Sequence, residues 1–309
     1  MTKPVKLGIE HFLSNTDISK DQTEYILNLA LAFKNGEIDL DCGNKVLGLV
    51  FDKASTRTRV SFQVAMSRLG GSTVDLNPSN SQIGRGELIK DTARVLSKYC
   101  DIIAIRTFKH ENLLEYANWS EKPIINALTD LEHPCQALAD FLTIKEEFGR
   151  LDNLVVTFIG DSNNVFNSLL FCGAHLGSEI RIACPRGFEP SEMILDKLKQ
   201  VNESTYSKIV ITQDVERAVS GADVLYTDVW CSMGQEDDKE FKDNKFQGFS
   251  INSETFSFAK ENAIVLHCLP AYRGKEITDE IIDSQQSRIF QQAENRMHIQ
   301  QALLASLLI

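Results

Sequence analysis

Residues 46–71 read VLGLVFDKASTRTRVSFQVAMSRLGG. An apolar run, Val46 to Phe51, gives way to a polar stretch, Asp52 to Arg59, and then to Phe62, Ala65, Met66 and Leu69 at helical spacing, with Gly70 and Gly71 behind them. Strand, loop, helix and glycine stop in that order make one βα unit, the repeating piece of a parallel sheet. The same alternation runs along nearly the whole chain. Strands are predicted at Val46–Phe51, Ile102–Ile105 and Ile124–Ala127 in the first half, and at Val155–Ile159, Glu179–Cys184, Lys208–Thr212, Asp223–Tyr226 and Ile264–His267 in the second. The fold class is therefore α/β: two domains, each a largely parallel sheet flanked by helices. Leu138–Phe148 reads as a helix ending at Gly149, and the polar Arg150–Asn153 precedes a new strand, so residues 1–149 and 150–309 form the expected domains. A last helix, about 293–308, has apolar spacing that suits packing back on the first domain. Gln235–Phe249 (QEDDKEFKDNKFQGF) is polar and poor in strand formers, and reads as a mobile loop or lid.

A chain of 309 residues has room for about two domains at roughly 100–200 residues each. Apolar residues at 43% and charged residues at 24% exclude the disordered and fibrous classes. No apolar stretch approaches the roughly 20 residues that span a bilayer, and MTKPVKLGIEHFLSN lacks the apolar centre of a signal peptide. A soluble cytoplasmic protein with no membrane partner is expected. The seven cysteines are scattered and form no CxxC pair, which argues for reduced thiols rather than a disulfide framework or zinc knuckle. A net charge of -11 argues against nucleic acid as a partner. Counted in blocks of fifty, only residues 51–100 carry a positive balance, +4 from eight basic and four acidic side chains. That local excess marks a candidate anion site.

The excess centres on Ser55-Thr56-Arg57-Thr58-Arg59, where hydroxyls and guanidiniums gather at a helix start whose orphan N–H groups already favour an anion. On charge alone the cluster also fits a serine cap with surface arginines. Arg106 follows a strand, so its side chain can reach the crevice beyond the strand ends. His133 and Gln136 flank Pro134, which suits a first helical position. In the second half, Gly160-Asp161-Ser162-Asn163-Asn164 joins a strand to a helix, but GxGxxG is missing, so a nicotinamide site is poorly supported. Asn163 or Asn164 caps that helix or binds an amino-acid carboxylate or amine. Asp228 follows another strand, where a carboxylate either caps a loop or attracts a substrate ammonium group. His267-Cys268 has no second metal ligand at suitable spacing, and Cys268 reads as lining an amine pocket.

Five segments together carry a resemblance: Ser55–Arg59, Gln82–Ser97 (QIGRGELIKDTARVLS), Asp130–Gln136 (DLEHPCQ), Asp228–Gly234 (DVWCSMG) and His267–Pro270 (HCLP). The chain resembles the aspartate/ornithine carbamoyltransferase family over nearly its whole length, and its SMG segment is similar to the ornithine-binding form of that loop. Leu88 departs from the proline usual in the GRGEPI form of the segment.

The resemblance implies transfer of a carbamoyl group from carbamoyl phosphate to the δ-amine of L-ornithine, a step of arginine metabolism, without cofactor or metal. It makes the first domain the carbamoyl-phosphate domain and the second the ornithine domain. It assigns Ser55, Thr56, Arg57, Thr58, Gln82, Arg106, His133, Pro134, Cys135, Gln136, Cys268, Leu269 and Arg296 to carbamoyl phosphate, and Asn164, Asp228, Ser232 and Met233 to ornithine. Arg106, His133, Thr58 and Cys268 would take part in catalysis. Gln82 would reach in from a neighbouring subunit of a homotrimer or a multiple of trimers. Putrescine or an acylated ornithine remains an alternative acceptor, and a non-catalytic binder of the same fold a further alternative.

Overall fold

The computed structural model describes residues 4–53, 55–77, 86–205, 209–231 and 238–309. The chain divides into two compact units, Met1–Leu142 with Glu294–Ile309, and Thr143–Ala293. No helix among the described residues is long and apolar enough to cross a membrane.

In chain order the first unit holds α1 (Lys20–Lys34), β1 (Val46–Phe51), α2 (Thr56–Arg68), β2 (Ser72–Leu76), α3 (Ile89–Tyr99), β3 (Ile102–Arg106), α4 (His110–Trp119), β4 (Ile124–Leu128) and most of α5 (Pro134–Phe148). Among the described residues its four strands are all parallel, in the order β2-β1-β3-β4. β1, β3 and β4 are nearly continuous apolar runs, as strands covered on both faces must be. β2 was not among the predicted strands. It is a half-exposed edge strand, STVDL, whose polar alternation hides it from a search for apolar runs. Gly71 lets the chain enter β2 against Met66 and the Lys45 carbonyl, where a Cβ would lie 2.7 Å from that oxygen.

The second unit holds β5 (Val155–Ile159), α6 (Asn164–Leu176), β6 (Glu179–Ala183), α7 (Glu192–Thr205), β7 (Ile209–Thr212), α8 (Val215–Val219), β8 (Val224–Thr227), α9 (Lys239–Lys245), α10 (Ser253–Ser257), β9 (Ile264–His267) and α11 (Asp279–Ile282). Among the described residues its five strands are parallel in the order β7-β6-β5-β8-β9. The last helix, α12 (Ile289–Leu308), joins the first unit from Glu294 onward, as expected. There Leu7 N donates to the Ser306 carbonyl and Lys34 Nζ to Asn295 Oδ1 at 2.8 Å.

The polar stretch read as a mobile loop needs a correction. Lys239–Lys245 is helical, and its Lys242 and the following Phe246 are buried. Two anchors suffice to fix a segment that is otherwise mostly polar. Residues 235–237 lie outside the described residues.

Candidate active site

Each sheet has one place where neighbouring strands lead the chain away in opposite directions, which opens a crevice at the strands' carboxyl ends. In the first unit this is between β1 and β3. Ser55 follows β1 and takes the cap position of α2, yet its hydroxyl makes no cap hydrogen bond. Instead Ser55 Oγ accepts from Arg106 Nη1 at 3.0 Å, Arg106 being the last residue of β3. The reading of Ser55 as a mere cap therefore fails. Thr58, buried in the first turn of α2, accepts at Oγ1 from Arg296 Nη2. Arg296 Nη1 donates to Gln136 Oε1 at 3.0 Å, and Gln136 Nε2 donates to Asp140 Oδ1 at 2.8 Å. Far from being a surface arginine, Arg296 is 4% exposed.

His133 lies just before α5, 4% exposed. Burial first, then the positive charges of Arg296 and Arg106, hold its imidazole well below the usual 6.5. His133 is thus a neutral side chain in a positive field, and a neutral imidazole still donates one N–H. Two buried guanidiniums beside it favour a dianion far more than a solvated basic face would. Thr56 and Arg57 are exposed at the first two positions of α2. Pro134 opens α5, which fits its fixed φ and missing N–H. The Cys135 thiol donates to the Asn126 carbonyl and is pushed up to about 12 by burial, so only its backbone is suited to a ligand. Gln82 lies outside the described residues. Asp140 escaped the sequence reading, although its i,i+4 spacing from Gln136 was available as a signal.

The second unit reverses direction between β5 and β8. Asn163, after β5, caps α6: its Oδ1 accepts from Val165 N and Phe166 N at 3.0 and 3.1 Å. Those two bonds fix the amide, so Nδ2 points outward and donates to Asp228 Oδ2 at 2.7 Å. Cys268 Sγ donates to Asp228 Oδ1 at 3.0 Å. Asp228, just after β8, is a buried carboxylate with one donor on each oxygen, more than a loop cap requires. Asn164 is half-buried at the start of α6, and Ser232 and Met233 lie outside the described residues.

The HCLP segment is held from behind. His267 Nδ1 accepts the Leu269 N–H at 2.9 Å, so the ring proton sits on Nε2, which faces Glu276 Oε1 at 3.2 Å. Leu269 adopts φ 60, a left-handed conformation that costs a non-glycine residue about 1–3 kcal/mol and persists only where neighbours enforce it. Contrary to the spacing argument, donor atoms of Asp228, His267 and Cys268 do lie within 4.8 Å of one another. Both His267 nitrogens are nevertheless engaged, leaving two donors where a zinc site uses at least three protein ligands.

Two parallel-sheet units, one with a buried cluster of cationic donors and one with a buried carboxylate beside a thiol and a carboxamide, fit a group-transfer enzyme with an anionic donor and a cationic acceptor. Residues 10–146 match the family model described as the carbamoyl-P binding domain of aspartate/ornithine carbamoyltransferase, and residues 152–307 match its Asp/Orn binding domain. The chain is 64% identical over 308 residues to the ornithine carbamoyltransferase of Prochlorococcus marinus (strain MIT 9312), covering 100% of both. Among solved structures it is similar to ornithine carbamoyltransferase from Gloeobacter violaceus, with a TM-score of 0.88 at 46% identity over 97% of this chain and 99% of that one. The enzyme from Pyrococcus furiosus gives a TM-score of 0.94 at 42% identity over 98% of each chain. The chain belongs to the aspartate/ornithine carbamoyltransferase family.

Proposed function

We infer that the chain transfers the carbamoyl group of carbamoyl phosphate to the δ-amine of L-ornithine, giving L-citrulline and phosphate, and that it works as a homotrimer or a multiple of trimers in the cytoplasm. The observation that carries the reaction is the pair of buried arginines, Arg106 and Arg296, around a neutral His133. The δ-nitrogen attacks the carbonyl carbon, a tetrahedral oxyanion forms, and the C–O bond to phosphate breaks. Arg106, His133 and Thr58 donate to the carbonyl oxygen as it gains charge, while Ser55, Thr56 and Arg57 hold the phosphate. Gln136 and Arg296 complete the donor set. Phosphate is already a good leaving group, so orientation and charge stabilisation are sufficient.

At a reference pKa of about 10.4 an alkylammonium is mostly protonated at neutral pH and cannot attack. Asp228 favours the charged form of whichever amine it holds, which suits the α-ammonium group and not the attacking nitrogen. The δ-proton leaves to the departing phosphate or to a neighbouring group, and turnover rises with pH above neutrality.

Exposed apolar side chains in the first unit support assembly: Val60 and Val64 on α2, Val74 on the edge strand β2, Val95 and Tyr99 on α3. The seven cysteines are all free thiols, which suits a reducing compartment. The test is a colorimetric citrulline assay with carbamoyl phosphate and ornithine, run beside aspartate and putrescine. Product from ornithine alone supports the reading; faster product from another amine, or none from ornithine, overturns it.

A further inference from the structure

Beside the residues proposed to receive the acceptor sits a buried ion pair, Lys242 with Asp161. Lys242 of α9 reaches Asp161, in the turn after β5, with Nζ 2.6 Å from Oδ2. The two side chains are 6% and 15% exposed. Lys242 also lies over the Phe188 ring, 5.5 Å from its centroid. A surface pair at this separation would contribute little, but a pair this buried is costly unless its geometry is held. The geometry here is held by aromatic packing. One turn beyond Lys242, the fully buried Phe246 stacks on Trp230 with centroids 5.9 Å apart and meets Phe188 edge-on at 4.7 Å. Trp230 Nε1 in turn donates to the Phe249 carbonyl at 3.2 Å.

These two ties end on both sides of the hydrogen bond that defines the acceptor carboxylate. Trp230 is two residues past Asp228, and Asp161 is two residues before Asn163, whose amide holds Asp228 at 2.7 Å. The Asp161 carbonyl itself accepts the Asn163 N–H at 2.7 Å, so movement of Asp161 is passed directly to Asn163. Charge matters as well as position. Asp161 and Asp228 repel one another, and burial already disfavours the Asp161 carboxylate, whose pKa is raised above its ordinary value despite Lys242. Without the lysine, a second carboxylate near Asp228 would be left uncompensated or would take up a proton, and the turn would shift in either case.

We propose that Lys242, through its ion pair with Asp161, is a positioning residue for the amine acceptor, setting the Asn163–Asp228 hydrogen bond on which the acceptor's charged group is received. This deepens the reading of an amine-binding half-site and rests on it. Lys242 touches no reacting atom, so its removal acts on acceptor binding and not on the anion cluster in the other unit.

The experiment compares wild type, K242M, K242R, D161N and the doubly neutral D161N/K242M in the full-length protein by steady-state citrulline formation, with ornithine and carbamoyl phosphate varied in turn. K242M and D161N are expected to raise KM for ornithine about tenfold, within the range for directly coupled neighbours. KM for carbamoyl phosphate should change by less than about twofold, since no contact in that half-site is altered. K242R, which keeps the charge, should recover most of the ornithine affinity. A purely structural role would instead lower kcat or the amount of folded enzyme and leave the two KM values in proportion. If K242M does not fold, the doubly neutral variant, which leaves no uncompensated buried charge, gives the same reading. An unchanged ornithine KM in D161N or the double variant, or parallel rises in both KM values, overturns the proposal. A wild type that forms no citrulline overturns the assigned reaction, and that result is distinct from an active wild type indifferent to Lys242.

Discussion

Arg106→Ala removes a guanidinium that is 6% exposed and donates to Ser55 Oγ at 3.0 Å. Two losses combine. As a donor to the developing oxyanion, Arg106 should be worth on the order of 10²–10³ in kcat. As a charged hydrogen-bond donor to the carbonyl oxygen of bound carbamoyl phosphate it should be worth about 1.5–3 kcal/mol in the ground state, or roughly 10- to 150-fold in KM. The product is a fall of about 10³–10⁵ in kcat/KM for carbamoyl phosphate. Stability should not follow, because Arg106 and Arg296 carry like charges in one buried site and removing one relieves repulsion. Arg106→Lys keeps the charge without the planar fork and should fall between the two. The assay is initial-rate citrulline formation at saturating ornithine, with thermal unfolding of the same samples. Because Arg106 is among the charges that hold His133 down, the imidazole should titrate higher in the alanine variant, which NMR of the ring protons reads. Turnover within about threefold of wild type, with KM unchanged, would refute the assignment.

The lowered pKa of His133 makes stability depend on pH. With the folded value below the unfolded one, the unfolded chain binds the proton more readily, so this contribution is present above pH 6.5 and is lost as pH falls below it. His133→Gln should flatten the decline in melting temperature on the acid side of that value; an unchanged profile counts against a buried neutral imidazole. Asp140→Asn replaces the buried carboxyl that accepts from the Gln136 amide, and should raise KM for carbamoyl phosphate about tenfold with little change for ornithine. Equal effects on both substrates would contradict that role. Gly71→Ala forces a Cβ toward Met66 and the Lys45 carbonyl, and should cost about 1–3 kcal/mol in urea unfolding. A neutral result would mean that the turn into β2 yields more easily than the packing implies.

Much of the fold was legible because buried parallel strands are nearly pure apolar runs. β1, β5 and β9 match the predicted spans Val46–Phe51, Val155–Ile159 and Ile264–His267 end to end. β2 was not legible, since an edge strand covered on one side needs no such run. In the candidate site, Arg106 was legible from its place at a strand end, whereas Ser55 and His133 at helix starts read equally as caps until the family resemblance was added. Arg296 was not legible from its position. It stands 160 residues from Gln136 in the chain, and only the return of α12 to the first unit brings them to 3.0 Å. Lys242 was hidden for a different reason: in QEDDKEFKDNKFQGF it is one charge among many, and its burial depends on Asp161, 81 residues away.

Bond formation between the ornithine δ-nitrogen and the carbamoyl carbon can be observed directly by NMR of a reaction with ¹³C-carbamoyl phosphate and δ-¹⁵N-ornithine. Carbamoyl transfer predicts that the product carbon shows one-bond coupling to the labelled nitrogen while phosphate accumulates in equal amount. Carbon appearing only as bicarbonate or cyanate, or a product uncoupled to that nitrogen, would contradict it.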